Sequence, residues 1–231
     1  MKKPVYLLMV LLTGLVAGSA LAGNGPGPGN GPGPGSGSPN PGVLTLSEAN
    51  TLKYMREEEK LARDVYTELY NTWNAGVFLI ISRQEQRHMN SMLKMLNLYQ
   101  VPDPAEGKGP GEFTNPDLQD LYDELLWLGS QSLRDAYEVG VIIEETDITD
   151  LQAAIQPIAE QPLINVYSNL LAGSYNHLVA FVRSINAMGD DYVSEFLDPE
   201  SLEAECETAV MGRGVFGCGQ PQPPGPNGPK R

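Results

Sequence analysis

The chain has 231 residues, 41% of them hydrophobic and 19% charged, and its 29 acidic residues outnumber its 15 basic ones to give a net charge of −14. A surface this acidic repels phosphate backbones and anionic lipid, which excludes nucleic acid as a partner and disfavours a membrane surface. The two cysteines, Cys206 and Cys218, do not have the spacing of a zinc ribbon.

The chain opens with Met1-Lys2-Lys3, runs through the apolar stretch Val5–Leu12 and reaches small residues ending in Ala20-Leu21-Ala22. A basic start, a short apolar run and an Ala-x-Ala-like site predict a secretory signal peptide over residues 1–22, cleaved after Ala22, and a secreted or periplasmic location. The apolar run is too short for a stable membrane anchor. Losing residues 1–22 removes Lys2 and Lys3 and no acid, taking the charge from −14 to −16. Residues 23–42 are Gly/Pro/Ser-rich and cannot bury a core, so they read as a disordered linker. Residues 206–231 form a Pro/Gly-rich tail carrying both cysteines, which in an exported chain read first as a disulfide closing a small loop, with two free thiols as the alternative.

Between these ends, residues 43–205 are enough for one domain with its own core, and they read as helix. Thr45-x-x-Glu48 is a capping box that predicts a first helix to about Trp73, stopped by Asn74-Ala75-Gly76. A second helix is expected from about Phe78 to Tyr99, before Pro102. Asn115-Pro116 caps a short helix that Gly129 ends. Ser132-x-x-Asp135 opens another, expected to run through about Thr146, with a short separate segment over 149–158. Pro162 opens the last long helix, which Gly189 stops. No stretch alternates as a strand does. The fold class is therefore all-α. Four long helices with one long crossover, roughly residues 100–131, and short extra helices suggest a ferritin-like four-helix bundle.

Stepping three or four residues along each long helix gives its buried stripe. The stripes are Leu52, Met55, Glu59, Ala62, Tyr66, Leu69; Ile81, Glu85, His88, Met92, Met95, Tyr99; Leu133, Tyr137, Val141, Glu144, Ile148; and Leu163, Tyr167, Leu170, Ser174, His177, Phe181. Each is apolar except for Glu or His near its middle, and Ser174 in the last. The sequence has two histidines, and both fall on these stripes. A buried carboxylate without a partner is costly. Arg63 and Arg87 could pair with one such acid, but several helices placing acids and imidazoles at matching depth point to a shared cation. Glu85 and His88, three residues apart, point the same way. Three carboxylates and two neutral imidazoles suit two divalent ions, with solvent hydroxide, oxide or another acid balancing the remaining charge.

These segments resemble rubrerythrins. Glu59-Lys-Leu-Ala62-Arg63-Asp-Val-Tyr66 is similar to their first-helix Glu-x-x-Ala-Arg-x-x-Tyr, Glu85-Gln-Arg-His88 to their second-helix Glu-x-x-His, and Gly140-Val-Ile-Ile-Glu144 to their third-helix Gly-x-x-x-Glu. Ser174-Tyr-Asn-His177 stands where the fourth-helix Glu-x-x-His belongs. Over residues 44–188, the phrases MREEEKLARDVY, EQRHM, GEFTNPDLQDLYDEL and GSYNHLVAF more closely resemble a prokaryotic ferritin-like family catalogued as a domain of unknown function. The resemblance implies Glu59, Glu85, His88, Glu144 and His177 as metal ligands. Serine is a poor ligand for a hard cation, so Ser174 leaves either one carboxylate bridge, from Glu85, or a single metal, with Glu58, Glu145 or water as candidates for the gap. The two cysteines cannot supply the four-cysteine rubredoxin iron of rubrerythrins.

The function expected on these grounds is redox chemistry at a non-haem di-iron centre, of ferroxidase or peroxidase type, with metal ions and O₂ or peroxide as reactants. Iron is the expected cofactor, as two ions, with manganese or zinc as the alternatives. Tyr66, Tyr137 and Tyr167 share stripes with the ligands and are expected either to hydrogen-bond them or to pack the core. A non-catalytic envelope metal-binding protein and a metal-free helical interaction module are the alternatives. A homodimer is possible, and nothing in the sequence requires a cage.

Overall fold

The computed structural model describes residues 42–197, and among them every regular element is an α-helix. The expected signal peptide, the linker up to residue 41, residues 198–205 and the tail with Cys206 and Cys218 lie outside the described residues. The five helices are α1 (Leu46–Trp73), α2 (Gly76–Leu98), α3 (Pro116–Gly129), α4 (Leu133–Ile155) and α5 (Gln161–Asn186). No described helix is long and apolar enough to cross a membrane.

The helix starts follow local chemistry. The Thr45 hydroxyl accepts from Glu48 N, and the Glu48 carboxylate accepts from Thr45 N, as the capping box requires. Asn115 and Ser132 cap α3 and α4 by accepting from Asp117 N and Asp135 N. Asn74 ends α1 in the left-handed region at φ 51°, leaving a two-residue turn that folds α2 back along α1. α2 begins at Gly76, two residues earlier than the sequence suggested.

One expectation needs correction. The helix expected to stop near Thr146 continues unbroken to Ile155 and absorbs much of the separate segment expected over 149–158. Thr146 and Thr149, the residues that look like breakers, donate their hydroxyls to the Ile142 and Glu145 carbonyls one turn back. The apolar spacing continues through Ile148, Leu151 and Ala154, all buried, and packing outweighs local propensity.

Helices α1 and α2 pack as one antiparallel pair and α4 and α5 as another. Contacts of α1 with α4 and of α2 with α5 join the pairs, while α3 packs on α1 and α4. The apolar interior divides into two clusters. One includes Val65, Tyr66, Phe78, Val139 and Phe181; the other includes Leu52, Met55, Met92, Leu151, Leu163 and Leu170. Along α1, α2 and α5 the acid and imidazole residues fall where one cluster gives way to the other. They form a polar layer across the middle of the fold.

The crossover between α2 and α4 is strapped to the outer face of α1. Arg56 donates to both Asp103 carboxylate oxygens at 3.1 Å and to the Met89 carbonyl. The Glu57 carboxylate accepts from Thr114 N and Asn115 N. Lys60, 2% exposed, donates to Asp64 at 2.6 Å and to the Gly109 carbonyl at 2.8 Å, with its ammonium 4.4 Å from the Phe113 ring centre. Asp64 also accepts from Gly111 N.

Candidate metal centre

Glu59 on α1, Glu85 and His88 on α2, Glu144 on α4 and His177 on α5 converge in the polar layer. They form two triads that share one residue. Glu59, Glu85 and His88 offer ligand atoms within 4.8 Å of one another, and so do Glu85, Glu144 and His177. Glu85 serves both triads through different oxygens. Its Oε2 lies 2.8 Å from His88 Nδ1 and its Oε1 lies 2.6 Å from His177 Nδ1. Glu59 Oε2 is 3.1 Å from His88 Nδ1, and Glu144 Oε2 is 3.5 Å from His177 Nδ1. The two imidazole rings stack with centroids 5.5 Å apart.

The alternative partners for these acids are engaged elsewhere or turned outward. Arg63 bonds Asp64 and Gln86, and Arg87 is exposed. Glu59 Oε1, Glu85 Oε1 and His177 Nδ1 are buried without a hydrogen-bond partner, although Glu85 Oε1 and His177 Nδ1 lie within ion-pair range. The atoms crowd together without hydrogen-bond alignment. Buried polar atoms are ordinarily bonded, so orphaned ligand atoms converging from three helices, α1, α2 and α5, fit a cation.

The electrostatics agree. Burial pushes Glu59 well above the ordinary carboxylate range and raises Glu144 as well, with neighbouring acids adding to the effect and the imidazoles opposing it. At Glu85, burial raises the pKa, but His177 and His88 outweigh it and hold the carboxyl well below the ordinary range. Burial would lower both histidines, yet Glu59 and Glu85 raise His88 to about 11, and Glu85 and Glu144 raise His177 to about 10. Without metal, two imidazolium ions therefore supply the positive charge that the layer demands. A metal must displace those protons to bind.

Two supports fix the geometry. The Tyr66 hydroxyl donates to Glu144 Oε1 at 2.6 Å and holds that carboxylate in place. Gly173 leaves space for His88, because a Cβ there would lie 2.7 Å from the ring atoms Cε1 and Nε2. Of the other two tyrosines considered, Tyr137 stacks on Phe78 and Tyr167 lies buried in the second apolar cluster.

Residues 48–208 match the family described as Uncharacterized protein domain (DUF2202). The chain belongs to this family. It is similar to the uncharacterized protein MJ0754 of Methanocaldococcus jannaschii, with 42% identity over 156 residues spanning 68% of this chain and 84% of that protein. The crystal structure of hypothetical protein MJ0754 from Methanococcus jannaschii DSM 2661 aligns with a TM-score of 0.67 and 40% identity, covering 73% of this chain and 96% of that one. Membership in DUF2202 says nothing of metal, so the chemical argument rests on the residues.

In this DUF2202 chain the gap opposite Ser174 is filled by a residue that the sequence reading passed over. The Ser174 hydroxyl donates to Asp147 Oδ2 and to the Leu170 carbonyl, while Asp147 Oδ1 is buried without a partner. Burial, then the nearby Glu144 charge, raises Asp147 to about 7, against the lowering effect of Ser174. Glu145, one of the residues considered for the gap, turns away to accept from Ser194. Glu58, another of them, is buried beside Asp150. The overlooked signal was Glu144-x-x-Asp147, the same three-residue spacing as Glu85-x-x-His88. It was hidden because the four-residue step from Glu144 to Ile148 passes over it.

Proposed function

We propose that this chain is a ferritin-like, metal-binding four-helix bundle in which Glu59, Glu85, His88, Glu144 and His177, joined by Asp147, hold two divalent ions. Iron is the preferred metal, because carboxylates and imidazoles suit both of its common oxidation states. The observation carrying this reading is the position of Glu85, whose two oxygens each belong to a different triad. Asp147 improves the charge balance. Four carboxylates match the +4 of two divalent ions, where three did not.

Bound there, two redox-active ions would supply electrons for reduction of O₂ or peroxide, or would themselves be oxidised as substrate. The residues' own part is to bind and orient. Glu85 would bridge, Tyr66 would hold Glu144, and Ser174 would hold Asp147. The two apolar clusters wall off the layer from bulk water. The His88 side chain is 16% exposed, whereas Glu59, Glu85, Glu144 and His177 are 2–4% exposed. That narrow opening favours reactants the size of a metal ion, O₂ or peroxide. The basic, apolar and small-residue order of residues 1–22 supports action outside the cytoplasm.

Metal analysis of the purified protein, followed by ferrous addition at an oxygen electrode, tests the reading. About two iron per chain with O₂ uptake is expected. Stable metal without uptake would reduce the protein to metal binding alone. No metal after reconstitution would leave a helical interaction module.

A further inference from the structure

The acids of α4 extend beyond the centre. Glu144, Asp147 and Asp150 recur every third residue, so they climb one face of the helix at ~4.5 Å per step. Exposure falls along the row, from half-buried Asp150 to Asp147 at 6% and Glu144 at 2%. Helix α1 runs antiparallel beside it. Tyr66 meets Glu144 at one end, while Tyr54 and Glu58, one turn apart, face Asp150 at the other. Glu58 also feels Asp147 and Glu59 as neighbouring charges, which places it between the outer acid and the centre.

The outer end of this row, Asp150 with Glu58 of α1, enters no ion pair among the described residues, unlike Arg56, Lys60 and Asp64 of α1. Glu58 is 5% exposed and its Oε2 has no hydrogen-bond partner. Asp147 Oδ1 is likewise a buried atom without one, while Asp150 Oδ2 and Tyr54 Oη sit close to Glu58 and to each other without hydrogen-bond alignment. Structural acids on the same helix are satisfied, as Glu57 and Asp64 are by backbone N–H groups of the crossover. Two acids nine-tenths buried, Glu58 and Asp147, each with an unpartnered oxygen and near enough to feel each other's charge, have the chemistry of a hard-cation path.

We propose that Asp150, Glu58 and Asp147 form an uptake site for divalent cations between α1 and α4, from which metal passes to the Glu85 centre. The inference rests on the metal-binding reading above. Asp150 captures the hydrated ion at the surface, and Glu58 and Asp147 exchange carboxylate oxygens for its waters as it moves inward. His88 is then left as the side on which O₂ or peroxide arrives.

The test is stopped-flow loading of the metal-free protein with cobalt(II), followed by its visible absorption, in the wild type, Asp150→Asn, Glu58→Gln and Asp150→Glu. Loss of a steering and desolvating carboxylate is expected to slow loading by ~10-fold in the first two variants. Final stoichiometry and melting temperature should stay at wild-type values, and Asp150→Glu should load nearly as fast as the wild type. Should the wild type bind cobalt while all three variants load at its rate, the uptake site is overturned and the acids are a structural pair sharing a proton. Should the wild type bind no cobalt, the metal-centre reading itself fails. Melting curves separate a slow variant from a misfolded one.

Discussion

Helix α1 carries two sets of buried charges within a few residues of each other, and they are treated in opposite ways. On the crossover face, Arg56, Glu57, Lys60 and Asp64 each have partners close by, drawn from Asp103 and the backbone of residues 89–115. On the face toward α4 and α2, Glu58 and Glu59 each keep an oxygen with no partner at all. Burial is similar in the two sets. The difference lies in satisfaction. Paired charges fasten a loop, whereas the unpaired ones could hold a cation.

Substitutions on the two faces should therefore fail in different ways. The largest effect is expected from Glu85→Gln, which replaces one oxygen of the carboxylate shared by both triads and removes its charge. Metal content should fall from about two per chain to near zero, measured by elemental analysis, while the metal-free fold persists. His88→Ala and His177→Ala should each lose metal as well. Unchanged content in both would remove the ligand assignment.

Next comes Lys60→Met on the crossover face. It takes the buried ammonium from Asp64 and from the Gly109 carbonyl, leaving Asp64 with Arg63 and Gly111 N, and should cost ~1–3 kcal/mol of stability in denaturant titration, with or without metal. Metal stoichiometry in the folded fraction should not change. A variant that lost metal but kept its stability would erase the distinction between the faces.

Gly173→Ala pushes on the His88 ring while touching no ligand chemically. Metal affinity should weaken by ~10–100-fold in calorimetric titration, as when a ligand's supporting contact is disturbed. Equal affinity would show that the ring can move aside freely.

The smallest effect concerns pH. Asp147 is raised from 3.8 to about 7, and the histidines from 6.5 to about 10 and about 11. A group raised on folding stabilises fully below its unfolded value and loses that stabilisation as pH rises through the folded one. Glu85, lowered from 4.5, contributes in full above that pH and is constant through neutrality. The metal-free protein should therefore melt at a lower temperature at pH 8 than at pH 5. Added manganese(II) should raise the melting temperature more at pH 8, where fewer protons compete for the ligands. A manganese shift independent of pH would contradict proton displacement from the imidazoles.

The helical class and the positions of the five acid and imidazole residues could be read from the chain, because a 3.6-residue period exposes every polar break in an apolar stripe. Glu59, Glu85, His88, Glu144 and His177 stand out by that arithmetic alone. Asp147 did not, because the step of four from Glu144 to Ile148 passes over it, although both Asp147 and Ile148 are buried on α4. The crossover strap was hidden for another reason. Arg56 and Asp103 lie 47 residues apart, and Glu57 and Asn115 lie 58 apart, so no local pattern connects them. Hence the run Arg56–Lys60 resembles a solvated charge cluster, although all of it is buried.

Anaerobic titration with ferrous iron, read by Mössbauer spectroscopy, tests the central claim most directly. Two ferrous ions per chain are expected, filling together, in two distinguishable environments corresponding to the Glu59–His88 and Glu144–His177 sides of Glu85. A wild-type protein that stays folded and binds no ferrous iron would contradict it.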